Sequence, residues 1–436
     1  MKLLYFVLII FSLSQVSFAS SLVEEGYWIP DAQKQYIVYF KNLGELTIDH
    51  VDSQGYEVYG PKGLANWLKL AKIPFLPMIT YDKMYDDYPS PEQINDDLIQ
   101  IHQKYPKITK LFNLGKSFNG RDLLVLKISD NPEIDEHEPE FKYVSSMHGN
   151  EITGRELMMK LIEDMLESYN QADPRIVDIV NNTEIFIMPQ MNPDGSAKKQ
   201  RANGRGYDLN RDFPDFTTAD NQNVFGSRNP ETIAMMKFQN EHNFSLSANF
   251  HGGAQVVNYP WDTKSGAFPL NSLVVNLSLD YAKNVTYISN SREFSQGITN
   301  GFAWYEVDGG MQDWSYYWYD DLQFTIELSD TKWPEYNQIN YYYQENKEAL
   351  LSFMEKAHQG LGLILSNSQT EGTVKVWREV SGQWEDLGEY GIRHGEFYKI
   401  LEAGNYKIKI VNSNIEFQRQ VEKNRIYANG NYEIIQ

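Results

Sequence analysis

Three side chains able to hold a metal ion stand where strand-like runs end. His148-Gly149-Asn150-Glu151 follows one such run and precedes a helical pattern, so an imidazole and a carboxylate share one tight turn and can face one point. His251 comes directly after the run that ends Asn249-Phe250 and offers a third donor. The chain has no cysteine, which excludes disulfides, thiolate nucleophiles and thiolate ligands and leaves His, Asp and Glu to hold any metal. Two imidazoles, one carboxylate and an open position are a set that catalytic zinc uses. An HxxE pair alone does not separate ligands from ordinary polar groups, so the residues around it must decide.

The elements that position these residues follow from hydrophobic periodicity. Helices are predicted over Pro91–Lys104, Thr153–Ser168 and Ile339–Ala357, and strands near Leu123–Ile128, Phe141–Met147, Ile185–Pro189, Ser245–Phe250 and Phe324–Glu327. Such alternation implies an α/β fold, a mixed sheet flanked by helices on both faces, with sites collecting at strand C-terminal ends. Before it, strand-like runs Tyr36–Phe40 and Tyr56–Gly60 and a helical stretch Gly63–Ala71 imply a small α+β unit. After it, short strands such as Val374–Trp377, Tyr406–Ile410 and Tyr432–Ile435 imply a small all-β domain. Residues 1–20 carry Lys2, an apolar run Leu3–Leu13 and the small-x-small site Ser17-Phe18-Ala19, the pattern of an export signal. The organisation expected is a signal over 1–20, an α+β unit and candidate pro-segment over 21–84, a catalytic domain over 85–358 and a β-domain over 359–436.

At 436 residues, with 42% hydrophobic and 14% aromatic side chains, the chain can build several cores. Its formal net charge of −20 disfavours nucleic-acid binding. No stretch beyond the leader is apolar for about 18 residues, so no stable membrane insertion is expected.

Between Pro91 and Gly360 an ordered series of motifs resembles the M14 metallocarboxypeptidases, and most closely the regulatory branch of carboxypeptidases E, D, M and N. It comprises Gly115-Lys-Ser117-Phe-Asn-Gly120-Arg121, the HGNE turn, Met191-Asn-Pro-Asp-Gly195 and Asp208-Leu-Asn210-Arg211-Asp-Phe-Pro214. It continues through His251-Gly-Gly253, Asn258-Tyr-Pro-Trp-Asp262, Asn300-Gly-Phe-Ala-Trp-Tyr305, Gly309-Gly-Met-Gln312-Asp313 and Phe324-Thr-Ile-Glu327. The resemblance implies one zinc ion held by His148, Glu151 and His251, with Glu327 as general base and Asp208 orienting the first histidine. It implies that Asn210 and Arg211 bind the substrate's terminal carboxylate, that Arg201 stabilises the oxyanion and that Tyr305 closes over the substrate. Asp262, with Gln312 nearby, matches the residue facing the terminal side chain and implies Lys or Arg there.

The segment His394-Gly-Glu-Phe-Tyr398, followed by Ala403-Gly-Asn-Tyr406, resembles the transthyretin-like β-sandwich of the same branch. The expected activity is removal of single residues from peptide or protein C-termini in an extracytoplasmic setting, periplasmic in a bacterial host. A cell-wall peptide carboxypeptidase, another amidohydrolase on this scaffold and a non-catalytic peptide-binding relative are the rival readings.

Overall fold

A computed structural model describes residues 24–41, 43, 46–78, 87–365 and 371–422, and the backbone of 432–435. The export signal read over 1–20 lies outside the described residues. Among those described, no helix is long and apolar enough to cross a membrane.

The N-terminal unit has strands β1 (Glu24–Ile29), β2 (Thr47–Asp49), β3 (Tyr56–Pro61) and β4 (Leu76–Pro77), ordered β2-β3-β1-β4. A helix over Leu64–Ala71 packs Leu64, Trp67 and Leu68 beneath that sheet. The run Tyr36–Phe40, expected as a strand, instead leads into a helix over Ile37–Lys41. Its aromatic and β-branched residues carry strand propensity, but local and tertiary contacts override it. The Asp31 carboxylate accepts from the Gln33 and Gln35 N–H groups and winds the chain before the helix, while Phe40 packs against Tyr56 and Trp67.

The central sheet contains β5 (Thr109–Lys116), β6 (Asp122–Ile128), β7 (Glu140–Ser145), β8 (Glu184–Met188), β9 (Phe244–His251), β10 (Gln255–Tyr259), β11 (Ile298–Asn300) and β12 (Leu322–Leu328). Its order is β11-β10-β12-β9-β7-β8-β6-β5, with parallel pairs from β12 to β8, antiparallel pairs β8-β6 and β6-β5 toward one edge, and an antiparallel pair β12-β10 followed by a parallel pair β10-β11 toward the other. Successive residues serve opposite faces: Leu124, Leu126, Ile185 and Ile187 join one core, Leu123, Val125, Phe186 and Met188 the other. Helices over Pro91–Lys104, Thr153–Asn170 and Ile339–Glu355 cover the first face, and helices over Pro230–Asn240 and Met311–Tyr319 cover the second.

The C-terminal strands are β13 (Gly360–Leu365), β14 (Gly372–Val380), β15 (Gln383–Ile392), β16 (Glu396–Ile400), β17 (Gly404–Ile410), β18 (Glu416–Val421) and β19 (Tyr432–Ile435). They form a three-stranded sheet, β16-β13-β19, and a four-stranded sheet, β15-β14-β17-β18. The architecture is the α/β one expected, with a mixed sheet between helices and a C-terminal all-β domain.

Candidate metal centre and substrate site

The HGNE turn leaves β7 and runs into the helix that begins at Thr153, so His148 and Glu151 sit at the C-terminal end of a central strand. Gly149 makes the turn possible, since a Cβ there would stand 2.0 Å from the Gly195 carbonyl carbon. The Met191–Gly195 motif holds this arrangement from beneath. Asn192 caps the short helix over Pro193–Lys198 and donates from Nδ2 to the Met147 and Arg201 carbonyls. Asp194, fully buried, accepts from Ser117, the Asn119 N–H and Arg121, so the Gly115–Arg121 motif positions the site without entering it.

His148, Glu151 and His251 converge. His148 Nδ1 lies 3.0 Å from Glu151 Oε2, and His251 Nδ1 lies 3.0 Å from His148 Nδ1 and 2.9 Å from Glu151 Oε2. Zinc bonded at about 2.0–2.1 Å to three such atoms would space them by roughly 3.3 Å, so this triangle is close to one face of a zinc tetrahedron. Two imidazole nitrogens and a carboxylate oxygen turned toward one point, all buried, form a donor set that fits a divalent cation.

Asp208 Oδ1 stands 3.0 Å from His148 Nε2, which selects the tautomer leaving Nδ1 free as a donor. Burial and Arg201 oppose protonation of His148, but Glu151 and Asp208 outweigh them and raise its pKa. His251, whose Nε2 has no such partner among the described residues, is pushed down, chiefly by burial. Burial disfavours the Glu151 carboxylate, yet His148 and Lys332 overcome that and hold its pKa well below the usual range.

Glu327 pairs in register with His251 across parallel strands β9 and β12. Its Oε2 is buried and has no hydrogen-bond partner among the described residues, and burial, with the charges of Glu151 and Asp49, drives its pKa well above normal. A carboxyl so placed is ready to take and return a proton.

Arg201 is 1% exposed and donates from Nε to Asp208 and from Nη1 to Glu151, while Nη2 has no partner among the described residues. Asn210 and Arg211 follow Asp208 on one short turn, and Asn210 Oδ1 accepts from the Met311 N–H. Asp262 lies at the far wall, where its Oδ1 accepts from Asn258 Nδ2 at 3.1 Å and Gln312 Nε2 at 2.9 Å. Gly301 gives it room, because a Cβ there would meet Oδ1 at 1.6 Å. Burial pushes the Asp262 pKa up to about 7, against the Asn258 hydrogen bond and the charge of Arg211. No cation forms an ion pair with it among the described residues. His148, Arg201, Asn210, His251, Asp262, Tyr305 and Glu327 all line one cavity.

Residues 94–349 match the family model described as zinc carboxypeptidase.

The chain belongs to the zinc carboxypeptidase family. Within it, the regulatory branch is where its relatives lie. Carboxypeptidase D of Mus musculus is 38% identical over 337 residues, which cover 71% of this chain and 24% of that protein. This chain therefore spans about a quarter of that much longer relative. Carboxypeptidase M of Mus musculus is 37% identical over 72% of this chain and 75% of its own length. The catalytic chain of mouse carboxypeptidase N is 35% identical over 77% and 83%. Among solved structures, a carboxypeptidase A from Helicoverpa armigera superposes with a TM-score of 0.58 at 20% identity, covering 77% of this chain and 98% of that one. Thrombin activatable fibrinolysis inhibitor follows with a TM-score of 0.55 at 17% identity, covering 76% and 98%. These two likenesses concern the fold.

Two charged residues beside the metal-ligand triangle were missed by sequence reasoning. Lys332 Nζ lies 3.4 Å from Glu151 Oε1, and Asp49, from the N-terminal unit, lines the same cavity. Lys332 stands only five positions beyond Glu327, a spacing that could have flagged it. Nothing local marks Asp49.

Proposed function

We propose that this protein is an exported, zinc-dependent carboxypeptidase that releases single residues, Lys or Arg, from the C-termini of peptides or proteins. The observation that carries the reading is an unpaired, buried Glu327 one strand from a converged His148–Glu151–His251 triangle. Zinc, when bound by those three side chains, supplies Lewis acidity and a water of lowered pKa.

The other parts of the reaction fall to the chain's own residues. Arg211, with Asn210, would grip the terminal carboxylate through a planar, two-pronged set of N–H donors, which selects free C-termini over internal bonds. Asp262 would face the terminal side chain, and its buried carboxylate gains a partner when that side chain is cationic. The Nη2 group of Arg201, buried and unpartnered, would donate to the oxygen on which charge develops. Glu327 would accept the proton of the attacking water at a carboxylate oxygen and return it to the nitrogen of the departing residue. Tyr305 would close the site from the loop before Gly309-Gly310.

The test is hydrolysis of dansyl peptides ending in Arg, Lys or Phe, with and without a chelator, beside a Glu327→Gln variant. Cleavage of the Arg and Lys peptides, lost with the chelator and reduced on the order of 10²-fold or more in Glu327→Gln with zinc still bound, is expected. Preference for Phe would remove Asp262 from its role, zinc without turnover would favour a peptide-binding protein, and near-normal turnover in Glu327→Gln would remove the base.

A further inference from the structure

The helix over Met311–Tyr319 builds part of the substrate pocket at one end and meets the C-terminal β-domain at the other. In its first turn Gln312 Nε2 donates to Asp262 Oδ1, and Asp313 Oδ2 accepts from the Asp262 and Thr263 N–H groups at 2.8 and 2.9 Å. The carboxylate and the backbone of Asp262 are thus both fixed by this helix. One turn on, the Tyr316 ring packs on Trp261 and Phe268, with centroids 5.6 and 4.6 Å away. Trp261 directly precedes Asp262, so Tyr316 supports the same segment a second time.

The last turn of this helix has no basic residue of its own. A helix ends in carbonyls without intrahelical partners and in the negative end of its dipole, which cations and N–H donors satisfy. Here the β-domain supplies them. Arg393, between β15 and β16, donates from Nη2 to the Trp318 carbonyl at 2.7 Å and lies over the Tyr319 ring. The Gly391 N–H donates to the carboxylate of Asp320, the residue that follows the helix. Lys399, on β16 and 3% exposed, donates from Nζ to the Tyr316 hydroxyl at 3.2 Å. The same ammonium lies over the Tyr316 and Tyr390 rings, 4.5 and 3.8 Å from their centroids, with Asp320 Oδ1 3.8 Å away.

Burial lowers the Lys399 pKa to about 8, against the charge of Asp320, and leaves the side chain cationic at neutral pH. A buried charge adds little stability over an apolar side chain of similar size, so what Lys399 supplies is a directed contact on Tyr316. Neither Lys399 nor Arg393 lines the cavity that holds Asp262. Each acts through the helix.

We infer that the β-domain tunes the substrate preference of the catalytic domain: Lys399 and Arg393 are positioning residues that hold the helix over Met311–Tyr319, and through it Asp262, in place for the terminal side chain of a bound peptide.

The role assigned to Lys399 rests on the proposed reading of Asp262 as the residue that faces the terminal side chain, and one experiment separates the two. Lys399→Met keeps the apolar stem and removes the ammonium. In the full chain, kcat/KM is measured on dansyl peptides ending in Arg and in Phe, beside equilibrium binding of the same peptides to the metal-free protein. The Arg-to-Phe ratio should fall by about 10-fold or more in both measurements, through a higher KM for the Arg peptide with kcat little changed. A change in packing alone would move both peptides together and leave the ratio where it was. Tyr316→Phe, which loses only the hydroxyl that Lys399 engages, should lower the ratio in the same direction and serves as a second route should Lys399→Met fail to fold. The binding ratio decides by itself if the protein proves not to be a peptidase. A wild-type preference for Phe sinks the reading of Asp262 and the inference with it. A wild-type preference for Arg that survives both substitutions unchanged sinks the inference alone.

Discussion

The two accessory parts of this molecule are attached by opposite means. The C-terminal β-domain shares a hydrophobic core with the catalytic domain: Val374, Val376, Phe397, Ile400 and Ile408 belong to one continuous cluster with Leu246, Phe250, Leu350 and Phe353. Polar contacts add direction at this seam, as where Arg393 donates to the Trp318 carbonyl and Lys399 to the Tyr316 hydroxyl. The N-terminal unit closes a core of its own around Ile29, Phe40, Tyr56, Val58, Trp67 and Leu68, to which the catalytic domain contributes Tyr305 at the margin. Its attachment runs instead through Glu24, Asp49 and Glu57 on Arg201 and Lys332. Apolar burial at a shared core is lost only by unfolding. Buried ion pairs roughly balance against hydration. One neighbour is joined by a shared apolar core, and the other chiefly by charge.

The largest effects that could break this contrast come from emptying each core. Phe397 lies on the same face of β16 as Lys399 and is 2% exposed, so Phe397→Ala should cost about 3–5 kcal/mol. Because its cluster is shared, calorimetry should show the C-terminal and catalytic domains melting together at a lower temperature, with kcat/KM below the transition little changed. Leu68→Ala, at a fully buried site in the N-terminal unit, should cost about 2–5 kcal/mol and lower only the transition of that unit. It should also raise peptidase activity, because a weakened unit undocks more often. Separate melting of the C-terminal domain in Phe397→Ala, or a loss of activity in Leu68→Ala, would erase the distinction.

The catalytic domain was legible where ligands and supports sit close together in the chain. His148 and Glu151 share one turn whose spacing marks them, and Asp208, Asn210 and Arg211 share another that the family resemblance picks out. The helix over Pro91–Lys104 was found at its observed bounds, because Ser90 caps it and Pro91 starts it. Helix and strand ends elsewhere shifted by up to three residues. The ion pairs that fasten the N-terminal unit were not legible for the converse reason. Arg201 and Asp49 are 152 positions apart and Lys332 and Asp49 are 283 apart, and only the finished fold brings them together. The same holds for Ile37–Lys41, whose strand-like composition yields to Asp31 and to packing on Trp67.

The smallest expected effect sharpens the contrast, because a charged clasp should respond to pH in a way that an apolar seam does not. Glu24 is buried against the Arg201–Ala202 backbone and is faced by the charges of Arg201 and Asp208. Burial raises its pKa from 4.5 to about 7, against the Ala202 hydrogen bond and Arg201. A carboxyl that binds its proton more tightly when docked than when free favours docking fully below pH 4.5 and loses that contribution as pH rises toward about 7. Asp49 acts in the opposite sense, since its lowered pKa supports docking above the ordinary aspartate range and fails only in stronger acid. Docking of the N-terminal unit should therefore be tightest near pH 4–5 and relax toward neutrality. The ratio of Asp49→Ala to wild-type kcat/KM should fall over that interval, which cancels the pH dependence of catalysis common to both. In Glu24→Gln the side chain cannot ionise, so the ratio measured in that background should stay flat. A ratio that instead climbs from pH 5 to 7 would show that Glu24 docks as a carboxylate stabilised by Arg201, and would shift the pH control of the clasp to Asp49.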